Sequence, residues 1–362
     1  MAAQSAVTLP VPEFLVFGDA FLDVQCSGLA RLPRWDKDEL VPRPIEFLAG
    51  GGGLNTACHL ARAGRRVELR CALGDDDAGA KLRSAAANAG VAVVPLAAPA
   101  GAATGVCIVL SGSSDRAFAT HRGAVAVAGL SDADIDRARE VGSRGGHVHV
   151  AGYYNMPQVS VRVAELLRAV RGAGGSSSLN PQWDADEAWG GIGELSVADG
   201  TAPDVLICSR TEANKLAELE EASDEWQACE QLLNAGRARS IVVTSGASGA
   251  CVLTCDGHSL GMHAPTLAPD ALVDATGAGD AFAAGLLSHF AAAGPSVDLR
   301  DALWKGCAYG AVCCGVVGAS AALDPSRVAA HVRELDVNEL DVNSPGEPIL
   351  WSPRPPHRPP SQ

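Results

Sequence analysis

Val67-Glu68-Leu69-Arg70-Cys71-Ala72-Leu73 places an apolar side chain at every second position, and Gly74-Asp75-Asp76-Asp77 then opens a helical stretch that runs through Ala89 to Gly90. A period of two followed by a helix with a glycine to cap it reads as strand then helix, and Val91 to Leu96 reads as the next strand. Upstream, the apolar run Phe14 to Phe17 is stopped by Gly18 and Asp19, as in a buried strand that ends in a loop. Downstream, strands are expected at His147 to Val150, Ser176 to Leu179, Val205 to Ile207 and Ile241 to Thr244, with helical patterns between most of them. This rhythm predicts an α/β fold around a mainly parallel central sheet.

Two stretches break the rhythm. The first is residues 22–47. The second is residues 104–124, where GVCIVL and RAFATH flank the turn-forming SGSSD and predict a β-hairpin. Antiparallel pieces near the start of an α/β chain predict a small β-rich lid; the alternative is two decorated loops. Residues 1–12 read as a frayed leader, and one folded unit is expected over 13–335. Beyond it ELDVN occurs twice, at Glu334 to Asn338 and Glu339 to Asn343, and seven prolines crowd the last twenty-two residues, so 336–362 is expected to be disordered or extended. Pro353 and Pro356 form a PxxP, which a proline-rich tail produces by composition alone.

The chain has 362 residues, 47% hydrophobic and 19% charged, as in a soluble globular enzyme of one large or two modest domains. Its 28 basic residues against 42 acidic ones leave a net charge of −14, which disfavours nucleic acid and anionic membrane as partners. The eleven cysteines are an odd number with no signal-peptide pattern ahead of them. Cys58, Cys71, Cys107 and Cys208 sit in apolar runs, while Cys251/Cys255 and Cys313/Cys314 lack a zinc spacing, so a reducing cytoplasm is expected. Gly306 to Leu323 carries no charge over eighteen residues, but its glycines and alanines and its plain flanks predict a buried core helix ending near Gly318 rather than a membrane span.

Two glycine-rich helix entrances carry the chemistry. In Asp274-Ala275-Thr276-Gly277-Ala278-Gly279-Asp280-Ala281-Phe282, Gly277 and Gly279 permit close backbone approach, and a helix beginning near Asp280 aims free N–H groups at the glycine turn. Such a turn is an anion hole suited to phosphate. The alternative for Asp280 is an ordinary first-turn carboxylate. In Gly50-Gly51-Gly52-Gly53-Leu54-Asn55-Thr56-Ala57 the glycines expose backbone to another molecule, and Asn55 brings a donor and an acceptor suited to a hydroxyl; the alternative is a flexible loop before a packed helix. There is no GxxxxGK[ST] and no GxGxxG after a strand, and Gly246 to Ala250 only resembles a nucleophile elbow. His147 and His149 share a strand face, where a hydrogen-bonded pair at a buried strand end is expected rather than a metal site.

Together, GGGGLNTA and DATGAGDAF resemble the two signatures of the PfkB (ribokinase-like) family of carbohydrate and nucleoside kinases, over about residues 13–330. The resemblance implies a three-layer α/β/α sandwich with a β-rich lid and transfer of the ATP γ-phosphate to a hydroxymethyl group. It implies Asp280 as general base, with Gly277, Ala278 and Gly279 holding the phosphoryl oxygens. Substrate hydroxyls fall to Asp19 or Asp23, with Gly51, Gly52 and Asn55, while Tyr153 and Tyr154 are candidates to stack on a base or pack on a sugar. Asn180, Ser209, Thr244, Ser245, Gly246 and Gly249 match the ATP side. Glu212 matches the magnesium network, although Ser209 stands where the family usually has asparagine, and this departure leaves a non-catalytic regulatory protein as an alternative. Asp274 and Thr276, with carbonyls near Cys313, Val316 and Gly318, match a monovalent-cation site for potassium. A free sugar is the expected substrate with a nucleoside as the alternative, and a homodimer through the lid is an expectation.

Overall fold

The computed structural model describes residues 11–112, 116–220, 223–268, 271–290, 297–335 and 350–351; beside a two-stranded pairing of Val297–Asp298 with Leu350–Trp351, thirteen strands divide between two larger sheets. In chain order they are β1 (Phe14–Gly18), β2 (Phe21–Leu29), β3 (Glu46–Gly50), β4 (Val67–Cys71), β5 (Ala92–Pro95), β6 (Gly105–Gly112), β7 (Arg116–His121), β8 (His147–Ala151), β9 (Ser176–Asn180), β10 (Val205–Ser209), β11 (Ser240–Thr244), β12 (Ala250–Thr254) and β13 (Ser259–Met262). The larger sheet runs in the order β13-β12-β11-β10-β9-β8-β1-β4-β5. Its pairs are parallel from β5 across to β11, and antiparallel only where β12 and β13 are added at one edge.

Burial on both faces explains why β1 is an uninterrupted apolar run. Phe14 and Val16 point into one core, shared with Leu54 and Leu60 of the Gly52–Arg62 helix and Leu286 of the Ala278–Phe290 helix. Leu15 and Phe17 point into the other, against Ile135 and Val141 of the Asp132–Ser143 helix and Leu166 and Val170 of the Val163–Ala173 helix. Each strand therefore separates two apolar layers, and the α/β/α sandwich follows. His147 and His149 lie inside it, bonded to Ser176 and Ser178 at 2.7–2.8 Å, and burial lowers both to about 3, so they are neutral packing groups.

The two irregular stretches become the second sheet, of order β3-β2-β6-β7. The β6/β7 hairpin pairs as its sequence predicts, Ser111 opposite Arg116, with 113–115 of its turn outside the described residues. Only Asp19 and Ala20 separate β1 from β2, so the lid springs directly from the end of a central strand. The leader through residue 10, most of the ELDVN repeat and the proline-rich tail apart from 350–351 also lie outside the described residues.

The uncharged stretch from Gly306 needs a correction. Its helix, Leu299–Cys313, ends five residues before Gly318, because the chain turns there to bring Ala319 against Gly277. Gly318 makes that turn at φ 93°, where a side chain would be strained. No helix among the described residues is long and apolar enough to cross a membrane.

Candidate active site

The Ala278–Phe290 helix begins inside the second glycine motif. Gly277 turns at φ 79°, and a Cβ on it would collide with Ala319, so only glycine fits. Ala281 N–H bonds Gly277 O and Ala278 N–H bonds Ala275 O at 3.3 Å, so Ala278 is not the free donor expected of it, while the N–H groups of Gly279 and Asp280 have no partner among the described residues. Unpaired donors at the positive end of a helix dipole form an anion site.

Asp280 faces this opening. Asn55 Nδ2 donates to its Oδ2 at 2.8 Å and Gln182 Nε2 donates to its Oδ1 at 3.1 Å, so two carboxamides hold the carboxylate from opposite sides. Burial raises Asp280 to about 7 despite those two bonds, with Asp19 and Glu212 adding repulsion. A carboxylate near neutrality and fixed in orientation is suited to accept a proton. Asn55 is only 3% exposed, yet its Oδ1 has no partner among the described residues, which leaves an acceptor open to a hydroxyl donor.

The two early aspartates differ in their engagement. Asp19 accepts from Gly53 N–H at 3.0 Å and from Asn155 Nδ2 at 2.7 Å, which ties β1 to the entrance of the Gly52–Arg62 helix. That approach needs glycine, since a Cβ at Gly53 would strike Gly18 and one at Gly51 (φ 93°) would strike Ala20. Gly52 lies directly under the Gln182 carboxamide. Asp23 lies on the lid strand β2 beside Gly50, 8% exposed, its carboxylate making no hydrogen bond to a described residue. Burial, with the charges of Asp19, Asp280 and Asp274, raises it to about 7.

The other candidates sit at the carboxyl ends of neighbouring strands, where open α/β sheets hold ligands. Asn180 ends β9, and its Oδ1 accepts Gln182 N–H at 3.1 Å, shaping the turn that aims Gln182. Ser209 ends β10 opposite Thr244 of β11. Ser209 and Glu212 form a capping box: Ser209 N–H donates to Glu212 Oε2 at 2.8 Å and Glu212 N–H donates to Ser209 Oγ at 3.3 Å. Ser209 thus caps the Arg210–Leu216 helix, and burial raises Glu212 against the hydrogen bonds that Ser209 makes to its carboxylate. After Thr244, Ser245 has a buried Oγ without a partner among the described residues, and the Gly246–Gly249 turn ends at φ 107°, where a Cβ would strike Met262 O.

Tyr153 stands apart from this group. It is 6% exposed in the core, its ring edge-on to Tyr154 at 5.2 Å and its hydroxyl directed at Gly191. The motif reading passed over Gln182, Asn155, Gln25 and Arg116. Asn155 had a signal in its place directly after Tyr153 and Tyr154, whereas nothing in Pro181-Gln182-Trp183 marks a residue whose backbone adopts φ 56°.

A carboxylate clasped beside a helix N-terminus, under a β lid and at the strand ends of a mostly parallel sheet, defines a ribokinase-like architecture. Solved structures agree on the fold: an Arabidopsis thaliana ribokinase complexed with ribose and ATP superposes with a TM-score of 0.70 at 22% identity, covering 90% of this chain and 99% of that one. An adenosine kinase from Sinorhizobium meliloti gives 0.71 at 22% identity, covering 90% and 99%. The chain belongs to the pfkB family of carbohydrate kinases, whose family profile matches residues 15–326. Among curated relatives it is 29% identical over 284 residues to aminoimidazole riboside kinase of Salmonella typhimurium, covering 76% of this chain and 84% of that enzyme. It is 27% identical over 296 residues to ribokinase of Mus musculus, covering 80% and 84%.

Proposed function

We propose that this carbohydrate kinase transfers the γ-phosphoryl group of ATP to a primary hydroxyl of a small sugar, with Asp280 taking the hydroxyl proton. The observation that carries the reading is the Asn55–Asp280–Gln182 clasp, set beside the unpaired N–H groups of Gly279 and Asp280. The hydroxyl oxygen attacks phosphorus, its proton passes to Asp280, and the bond from the γ-phosphorus to the bridging oxygen breaks to release ADP. The N–H groups at the helix entrance stabilise the charge on the transferring group. Asp23 takes the main substrate contact, since its carboxylate is unengaged whereas Asp19 is occupied with Gly53 and Asn155. Asn55 Oδ1 accepts from a second hydroxyl. ATP lies along the ends of β9, β10 and β11, with Asn180, Ser209, Thr244 and Ser245 toward it and Gly246 and Gly249 permitting close approach.

Magnesium fits Glu212. A hard cation that keeps most of its water needs one or two carboxylates besides the phosphates, and Glu212 offers a carboxylate oxygen beside Ser209 at the end of β10. When bound, the ion offsets phosphate charge; the protein's share is to hold that oxygen at the head of the Arg210–Leu216 helix.

The sugar reading is favoured over a nucleoside because Tyr153 is packed in the core and the half-buried Tyr154 is engaged edge-on with Tyr153 at 5.2 Å and with Trp189 at 5.4 Å. We also infer a homodimer through the lid and a cytoplasmic location. Supporting the first, Phe47 and Ile108, both opposite Val24 on β2, are 52% and 41% exposed on the outward lid face. Supporting the second, most of the eleven cysteines are buried as free thiols.

The test is ADP release with ATP and magnesium across free pentoses, hexoses and nucleosides. Turnover with a sugar that vanishes in Asp280→Asn establishes the reading; turnover with nucleosides alone transfers it to the nucleoside branch, and ATP binding without turnover on any acceptor points to a regulatory protein.

A further inference from the structure

A second cavity, of about 720 Å³, opens in one helical layer of the sandwich. His59 and Arg62 line it from the Gly52–Arg62 helix, Trp304, Lys305 and Tyr309 from the Leu299–Cys313 helix and Val328 from the Pro325–Leu335 helix. The first of these helices also carries Asn55, about 10 Å before Arg62 at the ordinary helical rise, so the cavity and the candidate active site lie toward opposite ends of it. His289 likewise lines the cavity from the far end of the helix whose first turn holds Asp280.

The lining joins basic groups to an apolar wall. Against Arg62 and Lys305 stands one lining carboxylate, Asp301, which lies 4.0 Å from His289. Lys305 is half-buried and has no hydrogen bond or ion pair with a described residue, and burial, with repulsion from Arg65, lowers its pKa. Arg65 stands close behind: its Nη2 donates to Ser288 O at 2.6 Å, its buried Nε has no partner among the described residues, and its charge acts on His289 and Tyr309 as well. Cations drawn out of water without a counter-charge carry a cost that a bound anion would offset. Trp304 is 8% exposed and Tyr309 half-buried, and with Val328 they supply aromatic and aliphatic surface. A cavity of this size with both features suits a small organic anion with a planar body.

Two residues of the cavity also hold the chain behind the anion hole. His59 Nε2 donates to Ala319 O at 2.9 Å and Arg62 Nη1 donates to Ser320 O, while Ala319 is the residue on which Gly277 packs. The lid anchors the same Asp274–Gly277 turn from elsewhere, since Gln25 Nε2 donates to Asp274 Oδ2 at 3.1 Å and Arg116 Nη1 to Thr276 Oγ1 at 3.0 Å. We propose that this cavity is a second ligand site, for a small organic anion whose phosphate or carboxylate group pairs with Lys305 beside Arg62 and whose planar body lies on Trp304 and Tyr309, and that its occupancy is coupled to nucleotide binding through His59, Ala319 and Gly277. The site goes beyond the phosphotransfer reading and is detected by binding alone.

Three coumarins test it by calorimetry on the full chain: 4-methylumbelliferyl phosphate, 7-methoxycoumarin-4-acetate and the uncharged 7-methoxy-4-methylcoumarin. At least one anion should bind about ten-fold or more tightly than the uncharged compound, and the tighter of the two identifies the head group as phosphate or carboxylate. Lys305→Ala, and Ala329→Trp at an exposed lining position, should each weaken that anion by about ten-fold or more with the fold intact by circular dichroism. Binding of the non-hydrolysable ATP analogue AMP-PNP with magnesium should shift the anion's dissociation constant by about three-fold or more, the anion should shift that of AMP-PNP by the same factor, and His59→Phe should remove the shift while leaving the anion bound. Equal binding of the uncharged coumarin, no binding of either anion, or full-strength binding to Lys305→Ala overturns the proposal. Complete displacement by AMP-PNP also overturns it, because the anion then sits in the anion hole of the candidate active site. Anion binding that leaves AMP-PNP affinity unaltered upholds the site and overturns the coupling. Anion binding with no sugar or nucleoside turned over upholds the site and sinks the phosphotransfer reading instead.

Discussion

Gln182 reaches Asp280 from a left-handed backbone: at φ 56° its carboxamide nitrogen lies 3.1 Å from Asp280 Oδ1, while Asn55 holds the other oxygen at 2.8 Å. A non-glycine residue at positive φ carries strain, and such strain persists where the surrounding structure enforces it. Here the Asn180 Oδ1 bond to Gln182 N–H enforces it. The candidate base is therefore oriented by two donors from distant parts of the chain.

Removing one of those donors should be visible in the pH profile. A hydrogen bond to the ionised form lowers a carboxyl pKa, so Gln182→Ala should raise that of Asp280 above its value of about 7. The acid limb of kcat/KM then moves to higher pH, with a fall of about ten-fold in kcat. Asn55→Ala should cost more, since it also deletes the orphan Oδ1 acceptor. An unmoved acid limb in Gln182→Ala would separate the clasp from catalysis.

Asp280→Asn keeps the shape of the side chain and removes the base, so turnover should drop by about 10²-fold or more with the fold intact by circular dichroism. In the wild type the rate should rise with pH through about 7, because the base must be ionised and burial holds it protonated below that point. Asp23 titrates in the same range, so the profile reports the coupled pair rather than either residue alone.

Asp23 should prove a stability cost carried for function. Its folded-state value of about 7 lies above the ordinary 3.8, so the folded protein holds its proton more tightly and stability falls as pH rises between the two. Asp23→Asn should therefore raise the melting temperature at pH 8, by roughly 2–4 kcal/mol of stability from the size of the shift. The gain should shrink toward nothing as pH approaches 4, and sugar KM should rise. A destabilised Asp23→Asn at pH 8 would show the carboxylate to be structurally satisfied.

The outward lid face gives a test of assembly. Phe47→Lys and Ile108→Lys place charge on two exposed apolar positions. If lid faces pair, the double variant should run as a monomer in light scattering while the wild type runs as a dimer, with the melting point changed little at protein concentrations where the wild type is itself monomeric.

Local rules carried much of this. The alternation at Val67 to Leu73 and the buried run at Phe14 to Phe17 are strands for reasons contained in a few consecutive residues. The two glycine motifs are likewise local, because Gly51 and Gly277 are needed where φ is positive and another backbone is close. What sequence alone left open was every choice among side chains that packing alone resolves. Asp19 and Asp23 are four residues apart and equally acidic on paper; one is consumed by Gly53 and Asn155 and the other faces the cavity, because a strand end and a lid strand diverge between them. Ser209 departs from the family's asparagine on paper, and only the fold shows that it caps the Arg210–Leu216 helix with Glu212. Tyr153 looked available until the Gly191 turn covered it. Gln182 and Arg116 belong to no motif, since their meaning comes from contacts 98 and 160 residues away. Composition and periodicity determined the layers and the glycine turns; only the tertiary fold, by crossing strands distant in sequence, decided which side chains meet at Asp280.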